Sequence, residues 1–224
     1  MPLKRPGLGC RSSCYKACKV IEEPANRNEL SEEPSRTLQE VEGETFFDGV
    51  SLEKIANEVG TPTYIYSAKS FNKQFRELEK AFKGVDSKIF YSVKANSNVN
   101  IISLFNQLDS GFDIVSGGEL HRVIATGAAP QSTIFSGVGK SVSEIDLALK
   151  VGIDCFNIES APELDRIIER SKVLGKKPDI SVRINPDIDA LTHPYISTGL
   201  KENKFGVDRE SALHLFKGAQ DSTH

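Results

Sequence analysis

Long apolar runs are missing from this sequence. No stretch approaches ~18 consecutive apolar residues, so no membrane-spanning helix is expected. Charge of one sign is not in excess either: 28 basic and 31 acidic residues leave a net charge of −3. That balance excludes a global pull toward nucleic acid or an anionic membrane surface. Cysteine is nearly absent from the body of the chain, where only Cys155 occurs, while Cys10, Cys14 and Cys18 crowd the first residues. A disulfide framework for the body is thereby excluded, and a reducing, cytoplasmic setting is expected. The spacing of the three early cysteines matches no standard zinc pattern and no histidine lies near them, so no metal site is expected there. They read as incidental residues of a loose tail, with metal binding or lipid attachment as the alternatives.

What is present is ordinary for a globular protein, 38% hydrophobic and 26% charged over 224 residues, enough for one large domain or two small ones. The start of the chain differs from the rest. Residues 1–21 carry five basic side chains and no acid, and residues 22–44 carry eight glutamates against Arg27 and Arg36. A basic, acid-free start resembles an organellar targeting segment, but it lacks an apolar face. Residues 1–44 are therefore expected to form a disordered extension, and residues 45–224 the folded domain.

From Phe46 onward the pattern is regular. Leu52, Ile55, Ala56 and Val59 recur at helical spacing before Gly60 and Pro62. Phe71, Phe75, Leu78 and Phe82 form a second helical stripe. Strand-like runs are expected at residues 63–66, 88–93, 112–115, 133–135, 155–158 and 180–184, with helices between them and a last helix over 209–217. Ser141 with Glu144, and Ser160 with Glu163, read as capping boxes. Six alternating units argue for parallel βα architecture. At about 31 residues per unit of a (β/α)8 TIM barrel, residues 44–224 hold about six units, an incomplete barrel. An open doubly wound sheet is the alternative on topology alone.

In such an array functional groups gather at the carboxyl ends of strands. Lys94 follows the apolar residues Ile89, Phe90, Tyr91 and Val93, where partial desolvation would free its amine for Schiff-base chemistry; a lysine snorkelling to solvent is the plainer alternative. Gly139-Lys140-Ser141 imitates the end of a phosphate-binding loop, but the required first glycine is Ile134, so a strand-to-helix turn capped by Ser141 is expected instead. Arg183 leaves an apolar strand and should face an anion, either a cofactor oxygen or a carboxylate in a structural ion pair. His193 lies in a long polar loop, residues 187–204, of the kind that forms lids and substrate loops.

Taken together and in order, several segments resemble the fold-type III, alanine-racemase-like pyridoxal-phosphate decarboxylases that act on ornithine, arginine or diaminopimelate. They are residues 91–98 (YSVKANSN), 111–120 (GFDIVSGGEL), 135–141 (FSGVGKS), 183–187 (RINPD), 192–200 (THPYISTGL) and 204–207 (KFGV). The resemblance implies pyridoxal 5'-phosphate as cofactor, Lys94 as its Schiff-base lysine, and Ser92, Asp113 and Arg183 as lining of the cofactor pocket. It further implies that His193, Tyr195, Ser197 and Thr198 belong to a substrate loop. That loop favours meso-2,6-diaminopimelate, converted to L-lysine and CO2, over ornithine or arginine, and weighs against a racemase on the same barrel. By the same comparison the family's phosphate-binding glycine loop, its cofactor-stacking histidine and its C-terminal β-domain are not found before His224. The expectation is an N-terminal fragment, inactive alone, of an enzyme that is a homodimer at full length; a non-catalytic truncated product is the alternative.

Overall fold

The computed structural model describes residues 38–185 and 205–221. They divide into two compact units, one ending at Gln74 and one beginning at Phe75.

The first unit holds a small antiparallel sheet of β1 (Leu38–Val41), β2 (Glu44–Phe47) and β3 (Val50–Ser51), in that order. Both connections are two-residue turns with positive φ at each residue, Glu42 (53°) with Gly43 (82°), and Asp48 (54°) with Gly49 (84°). That backbone suits the twist of paired strands, and Asp-Gly is among the pairs that favour it. Strand β1 and the first turn lie inside the stretch expected to be a disordered extension, and its expected limit at residue 44 falls at the start of β2. Helix α1 (Leu52–Val59) follows, capped by Ser51, whose Oγ accepts from Lys54 N at 3.2 Å, and closed by Gly60. Residues 63–66, expected as a strand, are not one: Tyr64 is 89% exposed, and β-prone side chains do not make a strand without a neighbour to pair with.

Helix α2 (Ala68–Ala81) runs across the division between the units. Of its expected apolar stripe, Phe75 is buried edge-on against Phe105, while Leu78 and the following Phe82 are exposed.

The second unit is a five-stranded parallel sheet, β4 (Phe90–Ser92), β5 (Gly111–Ile114), β6 (Thr133–Phe135), β7 (Cys155–Ile158) and β8 (Asp179–Val182). The strands lie in chain order. Between them run α3 (Val99–Gln107), α4 (Gly117–Ala125), α5 (Val142–Val151) and α6 (Ala161–Leu174), each packed on the next, and α7 (Arg209–Asp221) packs on α6 and β8. A doubly wound sheet reverses its strand order at a switch point. This sheet does not, so it is an arc of a (β/α)8 barrel, with five strands among the described residues where six were expected. Beyond β8, Ile184 bridges Val207 in parallel, with Asn185 N donating to Val207 O at 2.7 Å and Val207 N to Arg183 O at 2.9 Å.

Strand alternation sorts side chains onto two faces. Toward the helices point Phe112, Ile114, Phe135, Phe156 and Ile158, all fully buried. They meet Ile102, Leu120, Val123, Ile145 and Ile167 from the helices, also buried. Each such side chain contributes roughly 1.5–3 kcal/mol by leaving water, so this layer supplies most of the unit's cohesion. The capping box at Ser141 and Glu144 forms, as expected, and makes Gly139-Lys140-Ser141 a helix start rather than a phosphate loop. The one expected at Ser160 does not: its hydroxyl caps nothing, and the Glu163 carboxylate bonds instead to the buried Lys140 and to Glu159 N.

Candidate functional site

The other face of the sheet changes character along its strands. Near the amino ends Phe90 lies over Gly111, its paired neighbour, so closely that a β-carbon at 111 would stand 2.4 Å from the ring. A glycine is required there for the strands to pair. One step toward the carboxyl ends the face becomes polar. Ser92 pairs with Asp113; Ser136 lies two residues past Ile134, Asp113's partner; Asn157 lies two past Cys155, Ile134's partner, and pairs with Ser181. All five side chains therefore point to one side, and Arg183 continues the same parity.

They are bonded to one another. Ser92 Oγ donates to Asp113 Oδ2 at 3.3 Å, and Ser136 Oγ to Asp113 Oδ1 at 2.5 Å. Asn157 Nδ2 donates to Ser136 Oγ at 2.8 Å. Arg183 Nη1 lies 3.3 Å from both carboxylate oxygens of Glu159, and its guanidinium sits 5.1 Å from the centre of the Phe205 ring. Glu159 is buried and also accepts from Gly137 N at 3.0 Å. Of the two anions open to Arg183 in the sequence, the carboxylate is thus present, although 43% of the arginine side chain remains exposed. Ser136, Asn157, Glu159, Ser181 and Arg183 together line a cavity of about 300 Å³. A second cavity, about 340 Å³, lies on the helix side among α6, β8 and α7, remote from these groups and lined largely by apolar side chains such as Leu164, Ile167, Ile180 and Phe216.

Lys94 stands in a single 3-10 turn, Val93–Ala95, directly after β4. The turn is anchored from two sides. Val93 is fully buried, and Tyr91, stacked on Phe105 at 4.0 Å, donates its hydroxyl to Asn96 O at 3.0 Å. Lys94 itself is exposed. The desolvation expected from its apolar neighbours is not found: Val93 is buried and Tyr91 stacks on Phe105 of α3, so neither covers the exposed residue 94.

Lys140 and Glu163, expected from the sequence only as parts of a strand-to-helix turn and a capping box, complete the arrangement. Lys140, whose side chain is fully buried, spends its three ammonium protons on Gly137 O (2.7 Å), Asn157 O (2.9 Å) and Glu163 Oε1 (2.5 Å). Glu163 Oε2 accepts from Glu159 N at 2.8 Å. The signal for Ser136, Asn157 and Ser181 was available: each is a polar residue next to an apolar one in a short strand, so parity alone places it on the inner face. Lys140 carried no such signal, since a lysine before a helix cap ordinarily faces water. His193, Tyr195, Ser197 and Thr198, like Cys10, Cys14 and Cys18, lie outside the described residues.

A guanidinium, a carboxylate and several hydroxyls line the carboxyl ends of adjacent parallel strands, and an exposed lysine follows the first of them, a set able to hydrogen-bond a small polar anion. An exposed lysine amine can condense with a carbonyl compound.

Comparison with known proteins agrees with that chemistry. Residues 68–224 match the family described as "Pyridoxal-dependent decarboxylase, pyridoxal binding domain". The chain is 51% identical over 174 residues to diaminopimelate decarboxylase of Neisseria meningitidis serogroup A, covering 78% of this chain and 43% of that protein. It is 46% identical over 183 residues to the Pseudomonas aeruginosa enzyme of the same name, covering 82% and 44%. Among solved structures, diaminopimelate decarboxylase of Helicobacter pylori complexed with L-lysine superposes with a TM-score of 0.74 at 49% identity, over 76% of this chain and 43% of that one. The chain thus spans about two fifths of the length of the relatives it matches. On the match over residues 68–224 and on the barrel arc that carries its polar strand ends, the chain belongs to the pyridoxal-dependent decarboxylases.

Proposed function

We propose that the chain provides the lysine-bearing half-site of a pyridoxal-phosphate-dependent decarboxylase that converts meso-2,6-diaminopimelate to L-lysine and CO2. The observation that carries this reading is the change from apolar to polar on the inner face, in one layer of adjacent strands, beside the turn that bears Lys94. Barrel interiors are otherwise filled with bulky branched side chains, and a polar layer at the carboxyl ends is the mark of a site.

In this reading Lys94 is the covalent attachment point, and Ser92, Asp113 and Arg183 hold the ring end of the cofactor. When bound, pyridoxal phosphate supplies an electron sink for the charge left on the substrate as CO2 departs. The chain's own contributions are positional. Tyr91 and Val93 fix the turn from which Lys94 projects. Asp113 keeps both carboxylate oxygens engaged by hydroxyls and so holds one orientation. Glu159 restrains the Arg183 guanidinium, leaving part of it free to meet an anionic substituent. The choice of diaminopimelate over other amino acids rests on the names of the relatives, on the L-lysine bound to the Helicobacter pylori structure, and on the segment containing His193, Tyr195, Ser197 and Thr198.

Adding pyridoxal phosphate to the 224-residue chain should produce a visible absorption band that Lys94→Ala abolishes, and borohydride should trap the cofactor on the peptide containing residue 94. A wild-type chain without a Lys94-dependent band would end the cofactor claim for this polypeptide. Release of lysine from meso-diaminopimelate, assayed next, should be little or none from this chain alone, which spans about two fifths of the length of its relatives.

A further inference from the structure

We infer that Ser136 and Asn157 are positioning residues for Asp113, a relay across three neighbouring strands that sets which way the shared protons point. The inference rests on the cofactor reading above, but its geometry stands apart from it.

Proton counting fixes the direction. A carboxylate offers only lone pairs, so the hydrogen bond between Ser136 Oγ and Asp113 Oδ1 takes its proton from the serine. A serine hydroxyl has one proton to give. Once that proton goes to Asp113, Ser136 Oγ can only accept from Asn157, so the nitrogen of the Asn157 amide must face it, as found at 2.8 Å. Turning the amide over would set its oxygen against the lone pairs of Ser136, or draw the serine proton away from the aspartate. Asn157 therefore holds Ser136 as a donor to Asp113, and Ser92 donates to the other carboxylate oxygen from the far side. Neither bond depends on a mobile support. Asn157 O is held from behind by the buried ammonium of Lys140 at 2.9 Å, and Asn157 is in register with Ser181 on β8. At the other end, Ser92 directly precedes the turn that carries Lys94.

The consequence is a carboxylate locked in orientation on the inner face, in register with Ser92, two residues before Lys94. Such a group suits a hydroxyl or protonated nitrogen on the ring of a bound cofactor. Removing one donor to a charged acceptor in a supporting shell weakens the bound partner by about ten- to a hundredfold.

Two measurements test this. In the ligand-free chain, the side-chain amide protons of Asn157 should exchange slowly with solvent and shift in the proton–nitrogen NMR spectrum on Ser136→Ala. An Asn157 amide that exchanges as freely as a surface asparagine overturns the relay, whatever the cofactor does. In titrations with pyridoxal phosphate, Ser136→Ala and Asn157→Leu should weaken the Lys94-dependent band at least tenfold in Kd. Ser136→Thr, which keeps the hydroxyl, should stay near wild type, and Asn157→Asp, which competes for the serine proton, should be worse than Asn157→Leu. A purely structural role predicts the reverse for Ser136→Thr, since an added methyl crowds the site while alanine does not. Wild-type-like binding by Ser136→Ala overturns the inference. Loss of the band in the wild-type chain itself counts against the cofactor reading instead, and the exchange measurement then decides the relay alone.

Discussion

Replacing Lys140 by methionine should cost more stability than any single change on the inner face. The side chain is fully buried, and that of its partner Glu163 is 5% exposed. Methionine matches the length of the aliphatic stem, so the loss is almost purely electrostatic. It strands three acceptors at once: Gly137 O, Asn157 O and one oxygen of Glu163. Breaking one side of a buried pair costs about 3–5 kcal/mol, because the remaining charge is left without a partner or water. Against a total stability of about 5–15 kcal/mol for a domain, that is a large share. The pair itself is a different matter. Its Coulomb gain roughly offsets the cost of desolvating two ions, so neutralising Glu163 in the same molecule should recover part of the loss. The neutral partner should be glutamine rather than leucine, since the Glu163 side chain also satisfies Glu159 N–H, and leucine would orphan that donor. Urea unfolding followed by far-ultraviolet circular dichroism measures all four corners of the cycle; the chain has no tryptophan to report by fluorescence. Lys140→Met within about 1 kcal/mol of wild type, or Lys140→Met/Glu163→Gln no more stable than Lys140→Met, would refute an ion pair whose cost is set by burial.

Two further outcomes follow from groups whose protonation is shifted. The Glu144 carboxyl is held below the ordinary glutamate range, chiefly by Gly117 N–H and then by the Ser141 hydroxyl and N–H. A lowered value in the folded state means that its contribution is complete above the unfolded value of about 4.3 and is lost as pH falls below it; Glu144→Gln should therefore flatten the acid limb of the melting temperature, and an unchanged limb would count against the tie. Burial, with lesser help from the charges of Asp154 and Asp179, pushes the Cys155 thiol up to about 11. At pH 8 its alkylation, followed on the Cys155 peptide by mass spectrometry, should run roughly two hundredfold slower than that of a thiol near 8.5, because only the thiolate reacts; equal rates would contradict the burial.

Much of the barrel arc was legible because its strands are short apolar runs bounded by turn-formers. Expected and observed strands coincide at residues 133–135 and 155–158, and differ by one or two residues at β5 and β8. Sequence reasoning failed where a local preference had to be weighed against a partner that the sequence does not reveal. Residues 63–66 have strand-forming side chains and no strand beside them. The hairpin signal Asp48-Gly49 lay in plain view, but its second strand, Val50–Ser51, is only two residues long. Ser160 and Glu163 have capping-box spacing, yet the glutamate answers to Lys140, which lies 23 residues away in sequence. Lys94 was sound as a position at a strand end; its surroundings were not, because which neighbours cover a side chain depends on the turn that carries it.

Those same failures mark how stability and chemistry are separated in this unit. The polar layer of Ser92, Asp113, Ser136, Asn157 and Ser181 gives up the packing that branched side chains would bring to a barrel interior. What compensates is not nearby hydrophobic contact but a set of glutamates that tie the strand-to-helix turns. Glu119 accepts from Val115 N within its own turn, and Glu163 from Glu159 N in the same manner. Glu144 reaches back to Gly117 N, and Glu159 to Gly137 N, each joining one turn to the turn before it. A side chain at residue 117 would press within 2.8 Å of Glu144, so that crossing demands glycine. The turns that bear the polar side chains are thus held by backbone N–H to carboxylate bonds, those of Glu119, Glu144 and Glu163 made away from the cavity, while Glu159 both ties a turn and lines it. Substitutions on that face can then alter what it binds without loosening the frame, and substitutions of Glu119, Glu144 or Glu163 should do the opposite.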